Sequence, residues 1–377
     1  MQQAEARSSK QQPRLRNKDQ DVVTPIKVEV LNLWLEDYEE SKLQYLVDGF
    51  TFGFRIPFNG NRAFRYSDNL KSARENFEIL QEKIQEEIDT NRVGGPFHID
   101  NIPFEALQIS PLGLVPKQKP GDYRVIHHLS FPEGSSINDG IDREHSAVSY
   151  QTIDDAVKLI KQFGKGALLS KTDIEHGYNN IPIHPSDHEL LGFAIGKDIY
   201  FDKTLPMGLS FARKLFEKFS TALHWIVTNK LKISGCVHML DDFLLVGPPS
   251  YPVCEKQLCI LLQTFEHIGV PMKQDKTVFP TTIITFLGLE LDTVNMLIRL
   301  PKEKLSKIRQ EISKAKCRKK MTLQEIQSLI GLLNFACAVV TPERTFLRRL
   351  IDLTKGLKKP HHRRRLTKDA RADLEAW

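Results

Sequence analysis

The sequence predicts an α+β fold, and three observations lead to that prediction. Apolar runs on both sides of Asp241 and Asp242 have the length of buried strands, so the two carboxylates are expected at a turn between them. Two more strand-like runs, 109–115 and 123–129, flank a Pro-Gly turn. Residues 70–88, by contrast, carry apolar side chains at every third or fourth position, which is the spacing of an amphipathic helix.

Length and composition restrict the class of protein. A chain of 377 residues with 41% hydrophobic content can bury a large core and form two or more subdomains. No apolar run approaches the roughly 20 residues of a membrane helix, and the polar N-terminus lacks the apolar core of a secretory signal. The five cysteines form no CxxC pair, which disfavours a zinc site or a disulfide framework. We therefore expect an intracellular protein of the cytoplasm and/or nucleus, not secreted and without a membrane partner.

The distribution of charge is more informative than the net charge of +6. Residues 301–320 contain nine Lys or Arg and two Glu, and a second basic cluster at 355–371 includes three consecutive arginines, 363–365. Solvated helix faces are the usual explanation for such runs. Two of them in the C-terminal third nevertheless make a polyanionic partner plausible.

The N-terminal part of the chain is expected to be mainly scaffold. The first 24 residues are predicted to be a disordered tail, and the helix over 70–88 is stopped by the Gly-Gly-Pro at 94–96. The strand pair that follows has a basic tip flanked by Lys117 and Arg124. These two side chains could bind phosphates or could only keep a sheet edge soluble, and the residues alone favour solubility.

A third carboxylate, Asp173, ends a separate predicted strand. A helix that begins near residue 153 precedes the apolar run 166–174, which places Asp173 at the C-terminal end of the following strand. Taken alone, Asp241 and Asp242 are better explained as a polar hairpin tip. A divalent-metal site for phosphoryl transfer usually needs ligands from more than one strand, and Asp173 meets this requirement.

The remaining segments continue in the same mixed pattern. The pair Thr322 and Glu325 forms a capping box that predicts the start of a helix. Further helices are expected over 211–226, 253–268, 302–316 and after 342, and a strand pair over 281–292.

In this order the chain resembles reverse transcriptases, and in detail those of DIRS-like retrotransposons, which carry a tyrosine recombinase. The resemblance covers the chain from about residue 25 onwards. The matching segments are 110–117 (SPLGLVPK), 123–130 (YRVIHHLS), 171–174 (KTDI), 181–185 (IPIHP), 205–208 (LPMG), 240–243 (LDDF), 286–288 (FLG) and 329–335 (LIGLLNF).

The resemblance implies a right-hand polymerase fold with fingers, a palm whose antiparallel sheet packs on helices, and a helical thumb. The implied boundaries are a disordered tail at 1–24, an N-terminal extension and start of the fingers at 25–100, fingers at 101–166, a palm at 167–292, a thumb at 293–356, and a basic linker toward an RNase H-like domain at 357–377.

The resemblance also implies a metal site. Asp173 and Asp241 would bind two Mg²⁺ ions, with Mn²⁺ as a possible substitute, and the backbone carbonyl of Ile174 would assist while Asp242 completes the acidic triad. Three ionised carboxylates within about 4 Å of one another would repel by about 4 kcal/mol per pair at the intermediate dielectric of a cleft. Such a cluster is costly without a cation.

Further roles are carried over from the same resemblance. Lys276 would donate a proton to the leaving pyrophosphate, and Tyr178 would be a steric gate whose ring fills the space of a ribose 2′-hydroxyl. Lys117 and Arg124 would contact the triphosphate of the incoming dNTP, Met207 and Gly208 would line the nucleotide pocket, and Leu287 and Gly288 would form the primer grip.

The function implied is RNA-directed DNA synthesis by two-metal phosphoryl transfer. The expected partners are an RNA template, a DNA primer or duplex, and dNTPs, with RNase H and recombinase domains of the element encoded elsewhere. Two alternatives stay open: an RNA-templated RNA polymerase, and a catalytically inactive retroelement remnant that binds nucleic acid.

Overall fold

The computed structural model describes residues 21–117 and 121–377. The predicted N-terminal tail lies outside the described residues except for 21–24. Within that short stretch, the Thr24 hydroxyl donates a hydrogen bond to the backbone O of Asn180 at 2.8 Å.

Helices and strands alternate irregularly along the chain, as expected for an α+β fold. The helices are α1 (Val28–Trp34), α2 (Glu40–Phe52), α3 (Lys71–Glu75), α4 (Phe77–Asp89), α5 (Ile153–Phe163), α6 (Ala212–Trp225), α7 (Tyr251–Ile268), α8 (Lys302–Cys317), α9 (Leu323–Ala336), α10 (Arg348–Thr354) and α11 (Lys368–Ala376). The strands are β1 (Arg65–Tyr66), β2 (Val93–His98), β3 (Gln108–Ile109), β4 (Leu112–Pro116), β5 (Tyr123–His127), β6 (Leu168–Asp173), β7 (Gly192–Ile195), β8 (Asp198–Asp202), β9 (Cys236–Met239), β10 (Asp242–Gly247), β11 (Val278–Thr281), β12 (Ile283–Phe286), β13 (Leu289–Asp292), β14 (Leu297–Arg299), β15 (Lys320–Thr322) and β16 (Arg363–Arg365).

The chain divides into two compact units. The first comprises Met1–Asp155, Lys171–Leu245 and Glu255–Phe279, and the second comprises Ala156–Ser170, Val246–Cys254 and Pro280–Trp377. This division follows internal contacts, whereas the boundaries of fingers, palm and thumb stay a prediction.

The first unit holds a five-stranded sheet and the hairpin predicted around 120–121. The sheet has the order β1-β3-β7-β8-β2. In the hairpin, β4 and β5 are antiparallel, with Val115 opposite Arg124. The tip of the hairpin, 118–120, lies outside the described residues. An aromatic core stabilises the unit, with Phe50 and Phe219 in edge contact at 4.9 Å between ring centroids.

A four-stranded sheet in the order β11-β6-β10-β9 carries the three predicted carboxylates. Asp173 is the last residue of β6, as the sequence predicts. β9 and β10 are antiparallel, with Met239 opposite Asp242 and His238 opposite Phe243. The hairpin predicted at Asp241 and Asp242 is therefore present.

The second unit is mainly helical. It also contains the antiparallel sheet β12-β13-β14 and the pair β15-β16. Thr322 and Glu325 form the predicted capping box at the start of α9. Within 357–377, which the resemblance implies to be a basic linker, β16 and α11 are formed, and the core of the unit buries Leu366, Ala370 and Leu374.

One predicted helix is wrong in its continuity. The stretch 70–88 forms two helices, α3 and α4, that are separated at Asn76. The Asn76 side-chain amide donates to the backbone O of Ser72 at 2.8 Å, and Asn76 has φ −123° and ψ 49°, outside the helical region. A short polar side chain that bonds the local backbone competes with helix continuation.

Among residues 21–117 and 121–377, no helix combines the length and apolarity that crossing a membrane requires.

Candidate active site

The turn between β9 and β10 presents two carboxylates. Because Met239 and Asp242 are paired, Leu240 and Asp241 form a two-residue connection. Leu240 has φ +54°, which lies in the left-handed region. A left-handed residue is required in the tight turns that match the twist of paired strands. A leucine at this position is strained, and the surrounding contacts must maintain its conformation.

Backbone hydrogen bonds hold the end of β6 against this turn. The Ile174 N–H donates to the backbone O of Asp241 at 3.0 Å, and the Lys273 N–H donates to the backbone O of Asp173 at 2.9 Å. Asp173 is buried, with 5% of its surface exposed. The strand end is thus fixed between the turn and the segment at 273, which brings Asp173 and Asp241 together.

Lys276 is ion-paired with Asp173. Its Nζ lies 2.8 Å from Asp173 Oδ2, and the short 3-10 helix Gln274–Lys276 presents it. Burial works to lower the pKa of Lys276, but the hydrogen bond to Asp173 and the nearby carboxylates outweigh it, and the net pKa is raised. The Lys276 side chain therefore carries a proton at neutral pH.

Burial and like charge act together on the two turn carboxyls. Burial, followed by the negative charge of Asp173, raises the pKa of Asp241 above its ordinary value. Burial is also the main cause that raises the pKa of Asp242 to about 6, and Lys171 opposes this shift. Both shifts express a cost of ionisation that a nearby cation would offset.

The carboxylates are less tightly clustered than predicted. Among the described residues, their ligand oxygens do not all lie within 4.8 Å of one another. Mutual repulsion favours this separation, and the ion pair with Lys276 holds Asp173 Oδ2. The group that does meet this distance consists of Asp142, Glu144 and His145, which lie at the surface.

A cavity of about 330 Å³ in the first unit is lined by most of the predicted site residues. Lys117 on its wall pairs with Asp122 at 3.0 Å. Because exposed ion pairs of this kind contribute little, a more highly charged anion could replace Asp122. The predicted residues on the wall are Lys117, Arg124, Asp173, Ile174, Met207, Asp241 and Lys276.

Asp242, Tyr178 and Gly208 are not among the described residues that line this cavity. The Tyr178 ring makes an edge contact with Phe216 at 5.2 Å between centroids. Burial raises the pKa of Tyr178 to about 12, so its phenol is neutral at physiological pH. The ring is therefore an uncharged, fixed surface.

Gly208 is required by a close backbone contact. Its φ is +128°, and a Cβ at this position would lie 2.0 Å from the backbone O of His127. The Asn138 side-chain amide donates to the backbone O of Gly208 at 2.8 Å. Gly208 is thereby fixed against β5, the strand that carries Arg124.

The predicted primer-grip residues lie in the second unit. Leu287 and Gly288 form the turn between β12 and β13, with φ values of +48° and +78°. A Cβ on Gly288 would lie 2.1 Å from Lys304 Nζ, which is 3.9 Å from the ring centroid of Phe335.

Sequence reasoning missed a buried carboxylate behind the turn. Glu217 on α6 is 7% exposed, and its Oε2 accepts a hydrogen bond from the Leu240 N–H at 3.3 Å. Its Oε1 lies 3.1 Å from His238 Nε2. The available signal was a charged residue between two apolar helix positions, Phe216 and Phe219, both of which are buried.

The donor set fits a hard divalent cation. Carboxylate and carbonyl oxygens are the ligands that Mg²⁺ prefers. The Ile174 N–H donates to the backbone O of Asp241, and this bond places the Ile174 backbone beside the turn that carries the second carboxylate. The backbone of Ile174 beside two carboxyls with raised pKa is compatible with cation binding.

Comparison with known proteins finds one family that matches the middle of the chain. Residues 115–291 match the family described as reverse transcriptase (RNA-dependent DNA polymerase). Protein P of heron hepatitis B virus is 29% identical over 166 residues, which are 43% of this chain and 20% of the viral protein. The Gag-Pro-Pol polyprotein of Mason-Pfizer monkey virus is 27% identical over 224 residues, 56% of this chain and 12% of the polyprotein. The matches thus span a fifth or less of these relatives.

Solved structures confirm the predicted fold. A foamy viral protease-reverse transcriptase in complex with double-stranded DNA has a TM-score of 0.61 and 17% identity, covering 94% of this chain and 60% of that one. The same type of viral protein in complex with an RNA/DNA hybrid has a TM-score of 0.62 and 16% identity, covering 94% of this chain and 46% of that one. The chain accordingly has the right-hand polymerase fold.

Proposed function

Since residues 115–291 match the reverse transcriptase family, we propose that the chain is an RNA-directed DNA polymerase. It extends the 3′-hydroxyl of a DNA primer with dNTPs on an RNA template. The foamy viral proteins of similar fold were solved with double-stranded DNA and with an RNA/DNA hybrid, which supports nucleic-acid partners of the same kind for this chain.

One observation carries the proposal. The hydrogen bond from the Ile174 N–H to the Asp241 backbone O joins the two carboxylate-bearing segments, and both carboxylates line a cavity that also contains Arg124. An anionic triphosphate needs a cationic group on one side and a metal-binding group on the other. This wall offers both.

We assign the metal site to Asp173, Asp241 and the Ile174 carbonyl, with Asp242 completing the acidic set. Two Mg²⁺ ions, or Mn²⁺ in their place, would stabilise the charge that develops on the attacking and leaving oxygens. Lys276, which the Asp173 pair keeps protonated, is suited to give a proton to the leaving pyrophosphate.

The other residues bind and orient the substrates. Lys117 and Arg124 hold the triphosphate, Met207 and Gly208 bound the nucleotide pocket, and Tyr178 excludes a ribose 2′-hydroxyl. Leu287 and Gly288 grip the primer, and the basic helices after 301 follow the duplex as a thumb.

The finer assignment is to a DIRS-like retrotransposon. It rests on motifs such as LPMG at 205–208 and LDDF at 240–243, whereas the relatives described above are viral. With this assignment, RNase H and recombinase domains belong to other parts of the element, and the cytoplasm and/or nucleus is the site of action.

Primer extension tests the function directly. The purified chain is given a DNA primer annealed to RNA, dNTPs and Mg²⁺, and we expect extension that Asp241→Asn abolishes. Asp198→Asn, an exposed carboxylate at the start of β8, is the matched control and should extend normally. Activity that survives Asp241→Asn would refute the metal assignment.

The same assay separates the alternatives. Preference for ribonucleotides with Tyr178 intact would indicate an RNA polymerase. Tight duplex binding without extension in Mg²⁺ or Mn²⁺, on RNA and on DNA templates, would indicate an inactive binding protein.

A further inference from the structure

The two basic clusters of the sequence meet in one two-stranded sheet of the second unit. β15 and β16 are antiparallel, with Lys320 opposite Arg365 and Thr322 opposite Arg363. Directly opposed residues lie on the same face, with Cβ atoms about 5 Å apart. Lys320, Arg363 and Arg365 therefore form one face, which we name the cationic ladder.

The ladder is exposed and electrostatically unbalanced. All three side chains are exposed, and in the described ranges none of them has a carboxylate within ion-pair distance. Glu325, which is close in sequence, is already used by Arg318 and by the Thr322 N–H. Because like charges directly opposite one another destabilise a strand pair, these residues do not contribute to the fold through their charge.

The opposite face of the same strands fixes the ladder in place. Met321 is 5% exposed, and its cross-strand partner Arg364 donates to the backbone O of Lys355 at 2.6 Å. Just beyond the strands, the Leu366 N–H donates to the backbone O of Lys319 at 3.2 Å. The three cations are thus held at defined positions before any ligand binds.

We propose that the cationic ladder binds the phosphodiester backbone of the primer–template duplex. This inference rests on the proposed polymerase function. Two guanidinium groups can each bind phosphate oxygens in a bidentate manner, and release of the counterions around the duplex provides the driving force. The duplex phosphates would supply the negative charge that the ladder lacks within the chain.

The composition of the face favours nucleic acid over a lipid surface. Its fourth position is Thr322, so no apolar side chain is available for insertion between lipids. An anionic membrane would have to be held by charge alone.

The test compares two triple variants with equal loss of charge. The ladder variant carries Lys320→Gln, Arg363→Gln and Arg365→Gln. The control variant carries glutamine in place of Lys161, Lys197 and Lys256, which are exposed and have no ion pair within the described residues. Binding of a labelled RNA/DNA hybrid is measured from about 50 to 200 mM salt, and each lost phosphate contact should reduce the slope of log K against log salt by about 0.9.

We expect the ladder variant to lose about two to three units of slope and to bind about 100-fold more weakly at about 50 mM salt, a deficit that shrinks toward 200 mM, with the control close to the parent. Its melting temperature should be equal to or above that of the parent, because a repulsion has been removed. Equal slopes for ladder and control variants would overturn the proposal.

Two further arms separate the possible failures. Primer extension by the parent chain tests the polymerase function. If the parent extends primers and the ladder variant still binds the hybrid normally, the polymerase function is supported and the ladder proposal is wrong. Vesicles of anionic phospholipid form the second arm. Loss of vesicle binding with unchanged hybrid binding would overturn the assignment to nucleic acid.

Discussion

The carboxylate of Glu217 accepts a hydrogen bond from the backbone N–H of Leu240, with 3.3 Å between N and Oε2. Leu240 adopts a left-handed φ of +54° immediately before Asp241. The other oxygen of Glu217 lies 3.1 Å from Nε2 of His238, the residue that precedes Met239 at the end of β9. A helix side chain thus holds the strained residue of the turn that presents the two aspartates.

Glu217 is therefore expected to position the turn. Glu217→Ala removes the acceptor and leaves a buried N–H unpaired, so we expect kcat to fall by about 100-fold and the Mg²⁺ concentration for half-maximal activity to rise. Glu217→Gln keeps an acceptor oxygen and should restore most of the rate. The measurement is a Mg²⁺ titration of primer extension for both variants, with melting temperatures alongside. A lower melting temperature with unchanged Mg²⁺ dependence would mean that Glu217 serves only the fold.

Tyr178 is expected to select the sugar through its ring and not through its hydroxyl. The ring is fixed by edge contact with Phe216, so removing it opens space that rigid packing had excluded. Tyr178→Ala should raise the efficiency of ribonucleotide incorporation relative to dNTPs by about 100-fold, whereas Tyr178→Phe should leave the selectivity nearly unchanged. Competing incorporation of rNTP and dNTP at one template position provides the ratio. Equal selectivity in the alanine variant and the parent would contradict the gate.

Gly208→Ala is expected to destabilise the fold through a steric clash, and a second glycine allows this clash to be separated from backbone strain. The new Cβ would meet the backbone O of His127 at 2.0 Å, at a φ of +128°. Gly196 also has a positive φ, +64°, but has no atom within 4 Å of the Cβ position. We expect Gly196→Ala to cost about 1 kcal/mol of unfolding free energy and Gly208→Ala about 3 kcal/mol. Denaturant unfolding of both variants measures the two losses of unfolding free energy. Equal losses would show that the positive φ alone, and not the clash with His127, causes the destabilisation.

The pH dependence of stability is expected to reflect Asp242. Its folded-state pKa is raised from 3.8 to about 6, chiefly by burial, so between these pH values the folded chain keeps a proton that the unfolded chain has released. Stability therefore falls as the pH rises through this window, and Asp242→Asn, which cannot ionise, avoids the loss. At pH 7 the variant should be more stable by on the order of 2 kcal/mol.

The measurement is the melting temperature of parent and Asp242→Asn in EDTA from pH 4 to 7. The difference should be close to zero near pH 4 and largest at neutral pH. A difference that does not change with pH would contradict the raised pKa of Asp242.

Local patterns were sufficient to predict that carboxylates lie at one edge of the sheet. Asp173 ends an apolar run and Asp241 follows another, and strand length and turn chemistry depend on residues adjacent in sequence. The capping box of Thr322 and Glu325 is predictable for the same reason. Hence the α+β class and the three carboxylates could be predicted from the sequence.

Contacts between distant segments could not be predicted in this way. Glu217 reaches Leu240 across 23 positions, and neither residue signals the other through spacing. The pairing of Lys320 with Arg365 joins two three-residue strands that are too short and too polar for alternation to reveal. The break at Asn76 depends on a single side-chain hydrogen bond to Ser72. The spacing of apolar residues along the chain contains no sign of this bond.

The ion pair between Asp173 and Lys276 joins residues 103 positions apart, and the backbone of Asp173 also pairs with Lys273. During translation, β6 therefore leaves the ribosome long before its partners. Contacts of such high sequence separation form slowly, since a long loop must close first. A nascent chain that ends before Lys273 cannot complete this edge, so a prematurely terminated product would lack polymerase activity even though it contains all three aspartates.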